Sequence, residues 1–266
     1  MTARDTTWTA GDFYEPYMGR WSRKVAPHFV EWLGLGPHLK WLDVGCGTGA
    51  LTQTLLDQAQ PASVLGIDAS AGFVAHARAH VTDPRASFEV GDAQALPVAH
   101  GSFNAAVTGL VLNFLPEPAR AVADMTRAVE PGGTVAAYVW DYAAGMELMR
   151  YFWSAAVELD QAAAALDEGR RLPALCAPEP LEALFAGAGL HRVELHAIEI
   201  ETPFKDFEDY WKPFLGGQGS APRYAMSLSD EDRERLRERI REGLPVGADG
   251  GIALRARAWA VRGRVG

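Results

Sequence analysis

The stretch Asp43-Val-Gly45-Cys-Gly47-Thr-Gly49-Ala50 constrains this chain more than any other. An apolar run, residues 40–45, enters it, and Leu51, Leu55 and Leu56 leave it at helical spacing. A strand that ends in closely spaced glycines and turns straight into a helix belongs to an open α/β sheet. Glycines there let the backbone turn tightly and pass close beneath a ligand. The same alternation continues downstream. Short apolar runs at 63–68, 86–90, 105–111 and 134–140 predict four more strands, with helices starting at Ser70 and Pro118 between them. Pro131-Gly132-Gly133 reads as the stop of the second of these helices. This rhythm predicts a mostly parallel sheet covered by helices on both faces.

After Asp141 the rhythm changes. Residues 143–171 read as helical, the proline-rich residues 173–180 break the chain, and a short helix at 181–188 stops at Gly189. A sixth strand is expected at 191–201 and a last one at 252–262, separated by an aromatic, Gly-rich and charged stretch at 202–251. Within it, the run from Ser229 to Glu242 reads as a solvated amphipathic helix. Ser229 would cap it with Asp232, Glu231 would pair with Arg235, and Leu236 and Ile240 would form its buried stripe. His76 and His80 lie four apart on one helix, which reads as a solvated face rather than a metal pair.

Composition excludes several classes. The chain has 266 residues, 48% hydrophobic and 22% charged, with a net charge of −9. That length buries a core without staples. Cys46 and Cys176 make neither a disulfide framework nor a zinc spacing, so no metal site is expected. No apolar run approaches the ~20 residues of a membrane span, and MTARDTTWTAGDFYEP has no signal core. A cytoplasmic protein with no membrane partner is expected. The acidic balance speaks against a nucleic-acid partner.

Gly45-x-Gly47-x-x-Ala50 by itself also fits a dinucleotide fingerprint. Asp68 closes the second strand, where a carboxylate meets ribose hydroxyls in either cofactor class. Three further features follow in order. They are Asp43 two residues before the first glycine, Gly91-Asp92-Ala93 after the third strand, and Val129-Glu-Pro-Gly-Gly133 leading into the fifth. Together they resemble the class I S-adenosylmethionine-dependent methyltransferases, close to the small-molecule branch that includes the ubiquinone and menaquinone biosynthesis C-methyltransferases. The resemblance covers residues 37–142 and, by pattern, 178–201 and 252–263.

It implies a Rossmann-like three-layer sandwich with a seven-stranded, mostly parallel sheet, an antiparallel last strand slotted beside strand five, and helical lid insertions. The whole of 1–266 would be one domain, with 1–36 as an N-terminal cover and 143–177 and 202–251 as insertions building the acceptor pocket. The implied cofactor is S-adenosylmethionine, leaving S-adenosylhomocysteine as product. Gly45 and Gly47 would cradle its methionine part above Asp43, Asp68 would bind the ribose, and Asp92 and Ala93 the adenine. Thr108 and Leu110 would lie near it, and Tyr14 and Arg20, with Tyr17 and Trp21, would cover it. Tyr151, Trp153, Tyr210, Trp211, Phe214 and Tyr224 would line the acceptor site.

The implied reaction is methyl transfer by in-line displacement to an O, N or C nucleophile of a small molecule, by a monomer or homodimer. The leaving group is already activated, so a base is needed only when the acceptor must lose a proton. Asp141, and after it His28, are the candidates. Where relatives often carry a His pair after strand four, this chain has Val111-Leu-Asn113-Phe114, and an asparagine cannot take a proton. The alternatives are an NAD-dependent oxidoreductase and a non-catalytic S-adenosylmethionine-binding protein.

Overall fold

The computed structural model describes residues 15–171, 175–216 and 219–266. Seven strands, β1 (Lys40–Val44), β2 (Ser63–Asp68), β3 (Ala86–Val90), β4 (Phe103–Gly109), β5 (Val129–Trp140), β6 (His191–Phe204) and β7 (Ile252–Arg264), form one sheet in the order β3-β2-β1-β4-β5-β7-β6. The first five are parallel: β1 pairs with β2 and β4, β2 with β3, and β4 with β5. β7 runs antiparallel beside β5. The Gly132 amide donates to the Val265 carbonyl and the Val265 amide donates to the Gly133 carbonyl, so two residues of β5 oppose one, as in a β-bulge of an antiparallel pair.

Trp41–Val44 of β1 and Ala105–Thr108 of β4 are buried throughout, as central parallel strands covered on both faces must be. Ser70 caps the helix Ala71–His80, its hydroxyl accepting from the Phe73 amide at 3.3 Å. Pro118 opens the helix Pro118–Ala128, which buries Ala121, Val122, Met125 and Ala128. These side chains join Leu42, Val44, Ala106, Val135 and Phe185 in one apolar core.

Two strand limits differ from expectation. β4 stops at Gly109; Leu110 then adopts φ 62°, and Leu112–Phe114 form a 3-10 turn. β5 begins at Val129, so Pro131-Gly-Gly133 is strand and not merely a helix stop. The reason is the Val265 pairing, which a local reading of those glycines cannot anticipate.

By its internal contacts the chain divides into two compact units. One comprises the described residues of Ser22–Val139, Ala174–Ile198 and Ala258–Gly266, and the other those of Met1–Trp21, Trp140–Pro173 and Glu199–Arg257. In the second unit the expected long helix breaks into Glu147–Leu159, a 3-10 turn Gln161–Ala165 and a short helix Glu168–Arg171. Asp160 marks the break, its carboxylate accepting from the Ala162 amide at 2.9 Å. The charged run forms the helix Asp230–Gly243. Ser229 accepts from the Asp232 amide at 3.1 Å, and Leu236 and Ile240 are buried, as the pattern predicts. Arg235 pairs with Asp232 at 3.1 Å, one turn position closer than the expected Glu231. No helix among the described residues is long and apolar enough to cross a membrane.

Candidate active site

From β1 the chain moves to β2 on one side, and from β4 to β5 on the other. This makes the carboxyl ends of β1 and β4 the switch point of the sheet, where a crevice opens. The glycine turn sits there. Gly45 has φ 72°, and its amide donates to Ile67 at 2.7 Å. A Cβ on Gly45 would fall 2.5 Å from Val111 Cγ2, so the turn after β4 presses directly on it. A Cβ on Gly47, at φ 53°, would meet none of the described residues within 4 Å. Backbone conformation and an open face, not a neighbour, account for glycine at 47.

Asp68 ties this turn down. Its Oδ2 accepts from the Gly47 amide at 2.9 Å and its Oδ1 from the Ser70 amide at 2.8 Å. Burial raises its pKa, and the two amide bonds pull it back. The Gly91 amide donates to the Asp68 carbonyl at 3.0 Å, which holds the Asp92 segment against the end of β2. Asp92 is exposed and accepts from the Gln94 amide at 2.9 Å, while Ala93 is buried.

Asp43 is fully buried. Thr52 Oγ1 donates to its Oδ2 at 2.6 Å, but Oδ1 has no partner among the described residues. Burial pushes its pKa up to about 7; the Asp68 charge adds to the rise and the Thr52 hydroxyl opposes it. A carboxylate oxygen left bare in the interior is costly unless a donor or cation meets it. This oxygen, with the open positive-φ turn at Gly47, fits a ligand that carries a cationic amine or sulfonium. Cys46, within the turn, is buried, and burial, with the Asp43 and Asp68 charges, raises its thiol pKa and disfavours the thiolate. Thr108 Oγ1 is also buried and has no partner among the described residues, and the Leu110 amide donates to the Tyr138 carbonyl at 2.8 Å.

The structure thus brings Asp43, Gly45, Gly47, Asp68, Thr108 and Leu110 to the carboxyl ends of three adjacent strands, with Asp92 and Ala93 after the next. Sequence reasoning passed over Asn113 as a group that cannot take a proton. In the structure this residue is 8% exposed, and neither atom of its carboxamide has a partner among the described residues. No local sequence signal announces that burial.

Several other expected site residues make contacts of their own within the chain. Asp141 is no free base: Arg257 Nε and Nη2 donate to its Oδ2 at 2.9 and 2.6 Å, and the Ala144 amide donates to its Oδ1 at 2.9 Å. It is a structural clamp between the end of β5 and β7. His28 lies on the exposed side of the helix Arg20–Leu33, whose Val25, Ala26, Phe29 and Leu33 are buried. Arg20 is not free to grip a cofactor carboxylate, because Asp209 holds its guanidinium at 2.8 Å between the rings of Trp21 and Phe204. Tyr14 lies outside the described residues.

The acceptor-pocket aromatics are, with one exception, a core. Phe214 is fully buried and stacks on Phe152 at 4.5 Å, and Tyr17 meets it edge-on. Tyr210 donates to the Leu148 carbonyl at 2.8 Å, and Trp153 Nε1 to Glu168 at 2.6 Å. Trp211 packs against Phe214, and Tyr224 against Trp153. Their ring faces are taken by one another. The exception, Tyr151, lines a cleft of about 270 Å³ with Arg150, Ser154, Glu158, Arg239 and Gly243.

The strand order, with an antiparallel seventh strand between the fifth and sixth, defines the Rossmann-like fold of the class I methyltransferases. Residues 42–137 match the methyltransferase domain family, so this stretch carries the pattern of a methyltransferase domain. Trans-aconitate 2-methyltransferase of Deinococcus radiodurans is 38% identical over 103 residues, 39% of this chain and 38% of that protein. Demethylmenaquinone methyltransferase of Renibacterium salmoninarum is 35% identical over 114 residues, 43% of this chain and 45% of that protein. The chain therefore spans less than half the length of these relatives. The fold is shared with phosphoethanolamine N-methyltransferase 2 of Haemonchus contortus, solved with S-adenosyl-L-methionine. There the TM-score is 0.61 at 16% identity, over 98% of this chain and 59% of that one.

Proposed function

We propose that the protein transfers a methyl group from S-adenosylmethionine to a small-molecule acceptor. The observation that carries this reading is Asp43, a buried carboxylate under the glycine turn with one oxygen unpartnered among the described residues. When bound, the cofactor supplies a methyl group already activated on a sulfonium. Asp43 would set a negative charge beneath its cationic part, and the open backbone at Gly45 and Gly47 would take the methionine portion. Asp68 keeps lone pairs free beside its two amide bonds and would accept from the ribose hydroxyls. Asp92 and the Ala93 amide would take the adenine edge, and Thr108 and Leu110 would border the reacting end.

A nicotinamide-dependent reading draws no support from the matched domain. Trans-aconitate and demethylmenaquinone, named by the relatives, support a small organic acceptor rather than a macromolecule. We further place the protein in the cytoplasm, as a monomer or homodimer without nucleic-acid or membrane partners.

Calorimetric titration tests the reading. S-adenosylhomocysteine is expected to bind the folded protein and NAD is not. Folded protein that binds neither S-adenosylmethionine nor S-adenosylhomocysteine sinks it. Binding without S-adenosylhomocysteine production on a broad metabolite panel points to a non-catalytic role.

A further inference from the structure

Asn113 presents an unusual combination. Its side chain is nine-tenths buried, yet both the amide nitrogen and the carbonyl oxygen lack a hydrogen-bond partner among the described residues. Buried carboxamides are almost always bonded, because an unpaired one loses its water and gains nothing in return. Two vacant hydrogen-bonding capacities, one donor and one acceptor held in a single plane, call for a partner with a complementary edge.

The sheet order says which partner. Asn113 lies in the turn after β4, and Val111 of that same turn presses on Gly45. Asp92, at the other end of the carboxyl edge, follows β3, three strands away from β4. At about 4.8 Å per strand this separates the two by roughly 14 Å. An asparagine also suits an adenine edge, but adenine placed at Asp92 is out of its reach. The turn after β4 belongs instead to the reacting end, beside the glycine turn and the unpartnered Thr108 hydroxyl.

Resting on the methyltransferase reading above, we infer that Asn113 positions the methyl acceptor, and that the acceptor carries an O–H or N–H donor beside a carbonyl. Hydroxycarbonyl and carboxamide compounds share this edge. An ionised carboxylate, which only accepts, leaves the Asn113 carbonyl facing a like charge. The residue orients the acceptor and takes no proton from it.

Asn113→Leu and Asn113→Asp in the full chain test this in three readings. Without ligand, Asn113→Leu is expected to raise Tm by a few degrees, since it removes an unpaired buried amide at similar volume. A fall in Tm shows that the amide is already satisfied within the chain and overturns the proposal. S-adenosylhomocysteine should bind Asn113→Leu within about twofold of the parent; a tenfold loss makes Asn113 a cofactor contact and likewise overturns it. Failure of the parent itself to bind overturns the methyltransferase reading instead, so the two failures are distinguishable. On a panel pairing hydroxycarbonyls and carboxamides with isosteres lacking the donor, turnover should be confined to the first group. Both variants should raise KM at least tenfold, with a smaller change in kcat. Turnover of the isosteres, or turnover insensitive to both variants, refutes the assignment.

Discussion

The two units of the chain treat their buried acids in different ways. In the unit that carries the glycine turn, Asp43 Oδ1, Thr108 Oγ1 and both amide atoms of Asn113 are buried and unpartnered among the described residues, all near the carboxyl ends of β1 and β4. In the aromatic unit the buried charges are matched. Asp167 pairs with Arg150, Asp141 with Arg257, and Glu168 accepts from Trp153. The unpartnered Arg20 Nε and Arg150 Nε there belong to guanidiniums whose other nitrogens are paired. A satisfied network holds a structure in place, whereas clustered unsatisfied groups mark where something else must bind. On that contrast the reactive chemistry belongs to the first unit. Of the aromatics of the second, Trp153, Tyr210, Trp211, Phe214 and Tyr224 pack on other rings, whereas Tyr151 lines a cleft.

The largest expected effect concerns Asp43. Its pKa stands near 7 in the folded protein against 3.8 for the ordinary group. Between pH 4 and 7 the native state therefore holds a proton that the unfolded chain has released, and stability falls as pH rises through that window. About three pKa units correspond to an effect on the order of 4 kcal/mol, complete above pH 7 and absent below pH 4. Asp43→Asn should flatten this part of the stability curve in denaturant titrations at stepped pH. The contributions of Asp68 and Glu168, both also raised by burial, should remain. The same variant should weaken S-adenosylhomocysteine binding. An unchanged pH slope breaks the contrast, because Asp43 would then be satisfied like the acids of the other unit.

Asp68→Ala comes next. S-adenosylhomocysteine affinity is expected to fall roughly 100-fold, about 2.7 kcal/mol. Because Asp68 also accepts from the Gly47 and Ser70 amides, ligand-free stability should drop by ~1 kcal/mol as well. Calorimetry and thermal unfolding on the same preparation separate the two losses. A stability loss with unchanged affinity reassigns Asp68 to the scaffold.

Asp141 tests the contrast from the other side. Removing its side chain takes the carboxylate at 2.6 Å from Arg257, which is 30% exposed and keeps Glu199 at 3.9 Å, and Asp141→Ala should lose about 2–3 kcal/mol by chemical denaturation. Activity per folded molecule should hardly change, whereas loss of a general base costs roughly 10²–10⁴-fold in kcat. A collapse of that size restores Asp141 to catalysis.

How much of this was legible in the chain follows from the range of each interaction. The glycine turn, the five parallel strands, the Ser70 and Ser229 caps and the buried stripe of Leu236 and Ile240 are written in residues close together, and the sequence patterns announce them. Arg20 and Asp209 are 189 residues apart, and Asp141 and Arg257 are separated by 116, so a guanidinium that looked available proved occupied. Aromatics at helical spacing read the same whether they line a pocket or pack on each other. Only the ring contacts of Phe152, Phe214 and Tyr210 decide it. The reverse holds for Asn113, whose importance lies in the partners it lacks.

The smallest effect completes the series. Arg239 reaches Glu158 at 2.8 Å and Glu242 at 3.2 Å, yet it is 38% exposed and those acids more so. In water such pairs gain little, because solvent screens the charges and ordering two long side chains costs entropy. Its pKa is raised by these carboxylates, but the exposure denies that shift much weight in stability. Arg239→Ala is therefore expected to leave stability in urea titrations nearly unchanged, with less effect still at high salt. Because Arg239 also lines the cleft beside Tyr151, the same variant asks whether that cleft belongs to the reaction. Unchanged kcat and KM keep the chemistry in the glycine-turn unit. A rise in acceptor KM, with stability intact, extends the acceptor site to the cleft and makes Tyr151 the one aromatic of the six with a role beyond packing.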